Sequence, residues 1–442
     1  MVGANSSALA DVDTKYVSYT FPIQGCDQRT FCFIWLTNRR GGLETLLVRK
    51  AGWLREHGYK IVLVTVSGPM DKIYGKAFDL VINLSDFEND FGVQTVDEFS
   101  RLIRSLVGKL AGYAPLHLEV FDHRSLFIAS ELTRTLENST CGLYLVANRI
   151  LGEMPDDVVL ELSESSLIYG MCESCFAEHE KKFGLKFARQ PLLPLPAAVA
   201  VATRESEPPA DVLQILTVTR LDEMKEYVEG LIRDLPELVK RQPGIKLVIV
   251  GDGPHRKRLE TLARELGTTA HVSFEGARMP DEVIGYYQKA HVFVGMGTTI
   301  LEAAAQKIPV VVAFTYEPRA IGPGFFGSYS GYEVGEYAER LPKFSCMGKV
   351  EELLQSPALR SQMGELARKT LEERFSIDVV MPAFVAMRVG LGRGVKNIPP
   401  PPFSKNTTES RRYLKRAIGF NGRAMAIGRV IRKGLLKIGL NT

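Results

Sequence analysis

The sequence predicts an α/β protein of two domains, each assembled from parallel βαβ units and joined through a proline-rich connection. Three observations carry that expectation. Short apolar runs alternate with amphipathic helical stretches of roughly 10–18 residues in both halves of the chain, which is the pattern of strands with helical crossovers. The strands themselves (FCFIWLT, KIVLVTV, LQILTVTR, KLVIVGDGP) are almost continuously apolar, as in a sheet covered on both faces. The alternation breaks in the middle, at PLLPLPAAVAVATRESEPPA, and then restarts. A length of 442 residues exceeds the roughly 250–300 residues of a single core, so two or three domains are expected.

Taken in order, residues 1–28 lack periodicity and read as a flexible extension. The first domain spans 29–205. FCFIWLT is its opening strand, GGLETLLVRKAGWLREHG a helix, and KIVLVTV and DLVINLS strands. TVDEFSRLIRSLVGKLAG is a long helix, LHLEVFD a strand, SLFIASELTRTLEN a helix and GLYLVANRI a strand. The five-proline segment before Leu213 is the interdomain linker. The second domain spans 206–375 and closes with KVEELLQSPALRSQMGELARKTLEERF. A terminal helix at 376–392 is expected to pack back towards the first domain. Residues 393–442 form a Pro-rich spacer, with four consecutive prolines extended as polyproline II, and a basic tail.

Composition narrows the class. Hydrophobic content of 45% and charged content of 24% describe an ordinary globular protein. No apolar run reaches the roughly 20 residues of a membrane span, and the N-terminus lacks the basic start and apolar core of a signal peptide. The chain is read as cytoplasmic. Six cysteines in this length are not a disulfide framework. Cys172 and Cys175 form one Cys-x-x-Cys without a second pair, so no metal is assigned; they are two reduced thiols on one helix or a redox pair.

The stretch Leu213–Phe314 carries the chemistry. Arg220 and Lys225 lie five residues apart after a strand, so both cations can converge on one anion. Gly297, Thr298 and Thr299 open a helix whose unpaired amides and dipole favour phosphate. Glu302 follows one turn later and can accept hydrogen bonds from a ribose. In the first half, Gly41 and Gly42 allow close backbone approach to a ligand or form a plain tight turn. His123, in the strand-to-helix turn EVFDHRS, stands where open α/β sheets bind ligands. Asp122 beside it orients the imidazole, serves as an acceptor-side base, or simply caps the helix that starts near Ser125. Arg220 and Lys225 also have a plainer reading, as surface ion pairs with Asp222, Glu223 or Glu226.

These pieces together resemble the family 4 (group 1) retaining glycosyltransferases of GT-B fold. RLDEMKEY is similar to the family's Arg-x4-Lys after the first strand of the second domain. LVIVGDGPHRKRLETLARELG and HVSFEG resemble the following strand, turn, helix and strand, and GTTILEAAAQKIPVVV the Gly-x4-Glu-Ala helix start. NRRGGLETLLVRKAGWLREHGYKIVLVT resembles the N-terminal Gly-Gly loop and helix. The resemblance implies two Rossmann-like domains with parallel sheets facing a central cleft. It also implies a nucleoside-diphosphate-sugar donor on the second domain, a glycan or lipid-linked acceptor on the first, and no required cofactor or metal. Arg220 and Lys225 would stabilise the departing diphosphate, Gly41, Gly42 and His123 would face the donor sugar, and Glu302 would hold the ribose or act as an acid of the first helical turn.

The chain departs from the family at one point. The acid expected eight residues ahead of Glu302 is Val294, within the strand VFV, and the loop after it is cut short to Gly295-Met296-Gly297. Amides of that glycine-rich loop are expected to hold a phosphate or a sugar hydroxyl, and Glu317 in FTYEPRAIGPG is either a substitute acid or, more commonly for such a position, an exposed loop Glu. The departure keeps two alternatives open: a nucleotide-sugar epimerase on the same fold, and a non-catalytic GT-B adaptor.

Net charge is unevenly distributed. The whole chain carries +4, while residues 393–442 hold twelve Lys and Arg against one acid, Glu409. Ile427, Ile431, Leu435 and Ile438 fall on one helical stripe with Arg429, Arg432, Lys433 and Lys437 largely elsewhere, interrupted by five glycines. This reads as a basic amphipathic helix on an anionic membrane surface, placing the protein peripherally on the inner face, or as a helix docked on the protein's own acidic body. Nucleic acid is not expected as a partner, since only Tyr413 and Phe420 offer stacking surfaces there.

Overall fold

A computed structural model describes residues 30–38, 41–84, 93, 95–147, 150–199, 208 and 212–399. The N-terminal extension and the basic amphipathic stripe lie outside the described residues.

The first domain runs β1 (Thr30–Ile34), α1 (Gly42–Glu56), β2 (Lys60–Thr65), α2 (Asp71–Ala77), β3 (Leu80–Asn83), α3 (Val96–Leu110), β4 (Leu116–Val120), α4 (His123–Thr135), β5 (Thr140–Leu145), α5 (Asp156–Glu164), β6 (Ile168–Gly170) and α6 (Glu173–Phe183). Its six strands are all parallel, in the order β3-β2-β1-β4-β5-β6. The second domain runs β7 (Leu213–Val218), α7 (Tyr227–Arg241), β8 (Ile245–Val250), α8 (Arg256–Glu265), β9 (Val272–Gly276), α9 (Pro280–Lys289), β10 (Val292–Gly295), α10 (Thr298–Ala305) and β11 (Val310–Val312). The short strands β12 (Ile321–Gly322), β13 (Gly324–Phe325) and β14 (Phe344–Ser345) follow, then α11 (Cys346–Gln355) and α12 (Pro357–Thr370). Its sheet has the order β13-β11-β10-β7-β8-β9, with β13 antiparallel at the edge.

Both sheets reverse their winding beside the first strand, between β1 and β4 and between β7 and β10. At such a switch point the loops leaving the two strands diverge and open a crevice at the strands' carboxyl ends. The topology thereby places the segments after β1, β4, β7 and β10 at ligand-binding positions.

Local sequence explains the helix starts. Thr95 and Glu98 form a reciprocal capping box on α3, at 3.2 and 2.9 Å. Asp122 accepts the Ser125 amide at 2.9 Å and caps α4. Ser356 caps α12 ahead of Pro357. Gly184 ends α6 in the left-handed conformation that glycine tolerates.

The core of the first domain contains a buried ion pair. Lys50 on α1 reaches Glu119 in the middle of β4 at 2.5 Å, both side chains being essentially inaccessible. Tyr169 donates to the same carboxylate at 2.9 Å, and the Lys50 ammonium lies 3.5 Å from the centre of the Phe384 ring. Phe384 belongs to α13 (Ile377–Met387), which packs on α1, and Trp53 donates to its Asp378 at 3.2 Å. The two crossings between domains run side by side: Ala197 and the 375–377 segment exchange backbone hydrogen bonds at 2.7 and 2.8 Å.

Two segments depart from their expected roles. The proline-rich connection is packed over its first part, with Leu193, Leu195 and Ala197 buried. The spacer expected from residue 393 begins later. Val395 is buried, its amide donates to Ser130 at 3.0 Å, and Arg134 on α4 holds the Val395 and Lys396 carbonyls at 2.7 Å. The physical cause is that α4 presents the Ser130 hydroxyl oxygen as an acceptor and the Arg134 guanidinium as a donor, which satisfy the backbone of this short extended strip.

Candidate functional site at the domain interface

The wall formed by the second domain grows from β7 and β10. After β7, the loop holding Arg220 is pinned by three backbone bonds: Thr219 to Val250, Leu221 to Asp252, and His255 to Leu221, at 2.9, 3.0 and 3.0 Å. Gly251 and Gly253 make this possible. A Cβ on either would fall 1.7 Å from the Thr219 carbonyl oxygen or 2.3 Å from that of Leu221, so these glycines serve close backbone packing.

Arg220 donates from Nε to the Asp222 carboxylate and leaves half of its side chain exposed. Asp222 also caps the short turn Glu223–Lys225 by accepting the Met224 amide at 3.1 Å. The plain ion-pair reading thus holds for Arg220 with Asp222. Lys225 is different. Its Nζ rests on the Met296 sulfur, and burial lowers its pKa to about 8, opposed by the charges of Glu336 and Asp222 and reinforced by Arg220.

After β10, Gly297 takes φ 71° and ψ −147° as the residue preceding α10, a backbone state that favours glycine. Its amide donates to the Val334 carbonyl at 2.5 Å. The expectation that the Gly295-Met296-Gly297 amides hold an anion is corrected at Gly297, because Val334 takes that donor. Thr298 and Thr299 head α10, where backbone amides have no intrahelical acceptor, and the Thr299 hydroxyl bonds the Met296 carbonyl at 3.1 Å.

Glu302 points across the interface. Its carboxylate lies 3.6 Å from the Arg49 guanidinium of α1 and accepts from the Tyr287 hydroxyl at 3.1 Å. Burial raises its pKa, while Arg49 and Tyr287 oppose the shift. These contacts, rather than the α10 amides, define the position of its side chain. Arg49 is itself fixed, donating to the Pro196 carbonyl at 2.9 Å.

The facing wall comes from β1 and β4. A Cβ on Gly42 would lie 3.5 Å from the Thr298 hydroxyl oxygen, so the two domains meet at this point. Beneath the loop, Glu44 accepts from the Trp35 indole at 3.0 Å, and a Cβ on Gly41 would fall 2.7 Å from its other oxygen. His123 is the first residue of α4, buried, with its ring edge-on to Phe127. Burial pushes its pKa down to about 4 despite Asp122, so the imidazole is neutral near pH 7. Asp122 spends its carboxylate on the amide and hydroxyl of Ser125; the capping alternative describes what this residue does.

The acid expected at Glu317 belongs elsewhere. Its carboxylate is taken by the guanidinium and amide of Arg319, at 2.8 and 3.1 Å. An acid whose charge favours the Lys225 ammonium is Glu336, a buried residue that sequence reasoning missed. Its segment crosses the loops after β10 and β11: the Val334 carbonyl accepts from Gly297, and the Gly335 carbonyl from Thr315 at 2.9 Å. Gly335 has φ 116°, and a Cβ there would fall 2.2 Å from the Met296 Cβ. The available signal was the tight Val334-Gly335-Glu336 pattern, which marks a backbone passing close to another.

A second contact between the domains lies beside it. Glu333 accepts from the Ser174 amide at the start of α6 (3.3 Å) and pairs with Arg340 at 2.6 Å. Cys172 and Cys175 are buried there with their sulfurs 3.5 Å apart, and burial raises the Cys175 thiol far above its usual range. Among the described residues no group of His, Cys, Asp and Glu forms a metal cluster, and no helix is long and apolar enough to cross a membrane.

With this geometry in hand, comparison with known proteins is informative. Residues 202–370 match the family described as glycosyl transferases group 1. The lipopolysaccharide core biosynthesis glycosyltransferase LpsE of Rhizobium meliloti (strain 1021) is 29% identical over 199 residues, covering 43% of this chain and 53% of the relative. The GDP-mannose-dependent alpha-(1-6)-phosphatidylinositol monomannoside mannosyltransferase of Mycobacterium tuberculosis (strain ATCC 25618 / H37Rv) is 35% identical over 96 residues, 19% of this chain and 25% of the relative. The chain spans about half the length, or less, of these curated relatives. Among solved structures, a glycosyltransferase from Rickettsia africae ESF-5 superposes with a TM-score of 0.62 at 14% identity, covering 82% of this chain and 98% of that one. Anabaena Alr3699/HepE in complex with UDP and glucose gives 0.61 at 14% identity, covering 82% and 99%. The fold is GT-B, and residues 202–370 are similar to the group 1 glycosyl transferases.

Proposed function

We propose that this chain, a group 1 glycosyltransferase domain set in a GT-B frame, transfers a sugar from a nucleoside-diphosphate donor to a glycan or lipid-linked acceptor with retention of configuration. The observation that carries the reading is the convergence of Arg220, Lys225 and the head of α10 at one switch point, opposite Gly41 and Gly42 at the other. Two cations and a helix N-terminus are suited to a diphosphate, whose charge grows as the sugar leaves. Arg220 and Lys225 bear that charge, so the reading calls for no resident metal. The ribose hydroxyls go to Glu302, where they exchange with part of the Arg49 contact.

Catalysis on this reading is mostly positioning and charge neutralisation. The acceptor lies against the first domain, with neutral His123 and the Gly41–Gly42 loop as its wall. Relatives named for lipopolysaccharide core and phosphatidylinositol mannoside synthesis support a cell-surface glycan or glycolipid acceptor. The basic tail suits such an acceptor, as a peripheral anchor on an anionic inner membrane face. A binding-only adaptor is the second reading, favoured by the buried apolar Val294 where an acid is expected.

The test is a thermal-shift titration with UDP, GDP, ADP and TDP followed by donor hydrolysis assays. Stabilisation by one diphosphate with turnover of its sugar derivative supports the transferase. Binding without turnover points to the adaptor, and no stabilisation by any diphosphate overturns the assignment of the site.

A further inference from the structure

A carboxylate that accepts ribose hydroxyls must be ionised and must keep oxygen lone pairs open towards the ligand. Two neighbours give Glu302 both properties. The Tyr287 hydroxyl donates to Oε2 at 3.1 Å and is the hydrogen-bond donor to this side chain among the described residues. The other oxygen, Oε1, faces Nη2 of Arg49 at 3.6 Å. At that separation opposite charges attract and favour the ionised acid, while no hydrogen bond forms, so Oε1 keeps its acceptor capacity. Arg49 is the more buried partner and Glu302 the more open one, which leaves the carboxylate within reach of a ligand. The guanidinium is itself fixed as a fork: Nη1 donates to the Pro196 carbonyl at 2.9 Å while Nη2 turns to Glu302. A planar group with donors in set directions can serve both partners at once.

The two ends of this arrangement belong to different domains. Arg49 lies on α1, next to Lys50, whose buried pair with Glu119 ties that helix to its sheet. Pro196 precedes Ala197, which exchanges backbone hydrogen bonds with the 375–377 segment where the chain crosses between domains. Glu302 and Tyr287 stand on α10 and α9 of the second domain. A change in the angle between the domains therefore moves the guanidinium relative to the carboxylate. We propose that Arg49 is the positioning residue of the ribose site: held by the linker carbonyl of Pro196, it orients the Glu302 carboxylate towards the ribose hydroxyls, so that ribose recognition on the second domain is completed from the first. The proposal rests on Glu302 being the ribose ligand.

The test uses the full chain and compares UDP, GDP and ADP with their 2′,3′-dideoxy analogues by calorimetric titration, in the natural protein, R49A and E302A. For the base that binds, the ratio of the two affinities reads the ribose hydroxyls alone, because the base and diphosphate contacts are common to both nucleotides. We expect a ratio of about tenfold in the natural protein, close to one in E302A, and about threefold or less in R49A. A general structural defect weakens both nucleotides alike, so a natural ratio in R49A alongside a lost one in E302A overturns the proposal and leaves the ribose with Glu302. Should R49A fail to fold, R49Q, which keeps a donor for Pro196 without the charge, decides by the same ratio: a lowered one supports the proposal and an unchanged one overturns it. A natural ratio in E302A, or no discrimination by the natural protein, places the ribose elsewhere and removes the reading of Glu302 together with the proposal. Failure of all these nucleotides to bind overturns both as well.

Discussion

The Arg49 guanidinium lies 3.6 Å from the Glu302 carboxylate, and the two side chains come from opposite domains. The acid proposed to take a ribose is therefore tied across the interface, beside the point where Gly42 meets Thr298.

This pair is partly exposed, and such pairs contribute less than about 1 kcal/mol to stability. We expect Arg49→Ala to melt close to the natural protein. Glu302→Ala should weaken binding of the preferred nucleoside diphosphate about tenfold, or 1.4 kcal/mol. Calorimetric titration checks this, and unchanged affinity in E302A removes Glu302 from the ribose.

Lys225→Ala should cut sugar transfer by at least about tenfold. The pH dependence follows from the lowered pKa. Lys225 is charged below about 8, so diphosphate binding and turnover should fall as pH rises through that value. The stability effect runs the other way. Between about 8 and the ordinary lysine value of 10.5 the unfolded chain holds the proton and the folded one does not, so this group adds stability as pH rises across that window. A kcat/KM profile for the natural protein and denaturant melts of both proteins at pH 7 and 9.5 measure the two effects.

The Lys50–Glu119 pair is fully buried. Glu119→Gln leaves an uncompensated ammonium and should destabilise by about 3–5 kcal/mol, whereas the double change K50M/E119L should be far milder. Urea unfolding of the three proteins tests this; an additive double mutant would show that the two residues do not act as a pair.

Deleting 404–442 should move the protein from the membrane to the soluble fraction and abolish binding to vesicles containing anionic lipid at low salt. Unchanged fractionation would assign the basic tail to the protein's own surface.

Gly335→Ala should both destabilise the protein and weaken diphosphate binding, because its Cβ would collide with Met296 and the residue sits at φ 116°. Loss of about 1–3 kcal/mol is the ordinary range for such strain. A melt and a titration on the same sample check both effects.

Much of the fold was legible because periodicity and apolar runs are local properties. The βαβ pattern around FCFIWLT and LQILTVTR led to the parallel GT-B sheets. The cation pair Arg220 and Lys225 was legible from its spacing after a strand, and Thr298 from its place at a helix start. No replacement for the acid missing at Val294 was legible. Glu317 looked suitable in sequence, but Arg319, two residues away, holds it. The backbone at Gly335 crosses Met296, on whose sulfur Lys225 rests, a contact between segments about 40 residues apart that no periodicity encodes.

By itself the sequence determined most of the strands and the longer helices, though not α2, α5 or β6, and which cations and hydroxyls stand at the strand ends. These follow from residue chemistry within a turn or two of chain. The tertiary structure decided which of those groups share a site: Arg49 with Glu302 and Gly42 with Thr298, each pair more than 250 residues apart, and Met296 with Lys225. The physical reason is that burial and a second charge assign such groups their partners and protonation, and both depend on how two separately wound sheets are brought face to face.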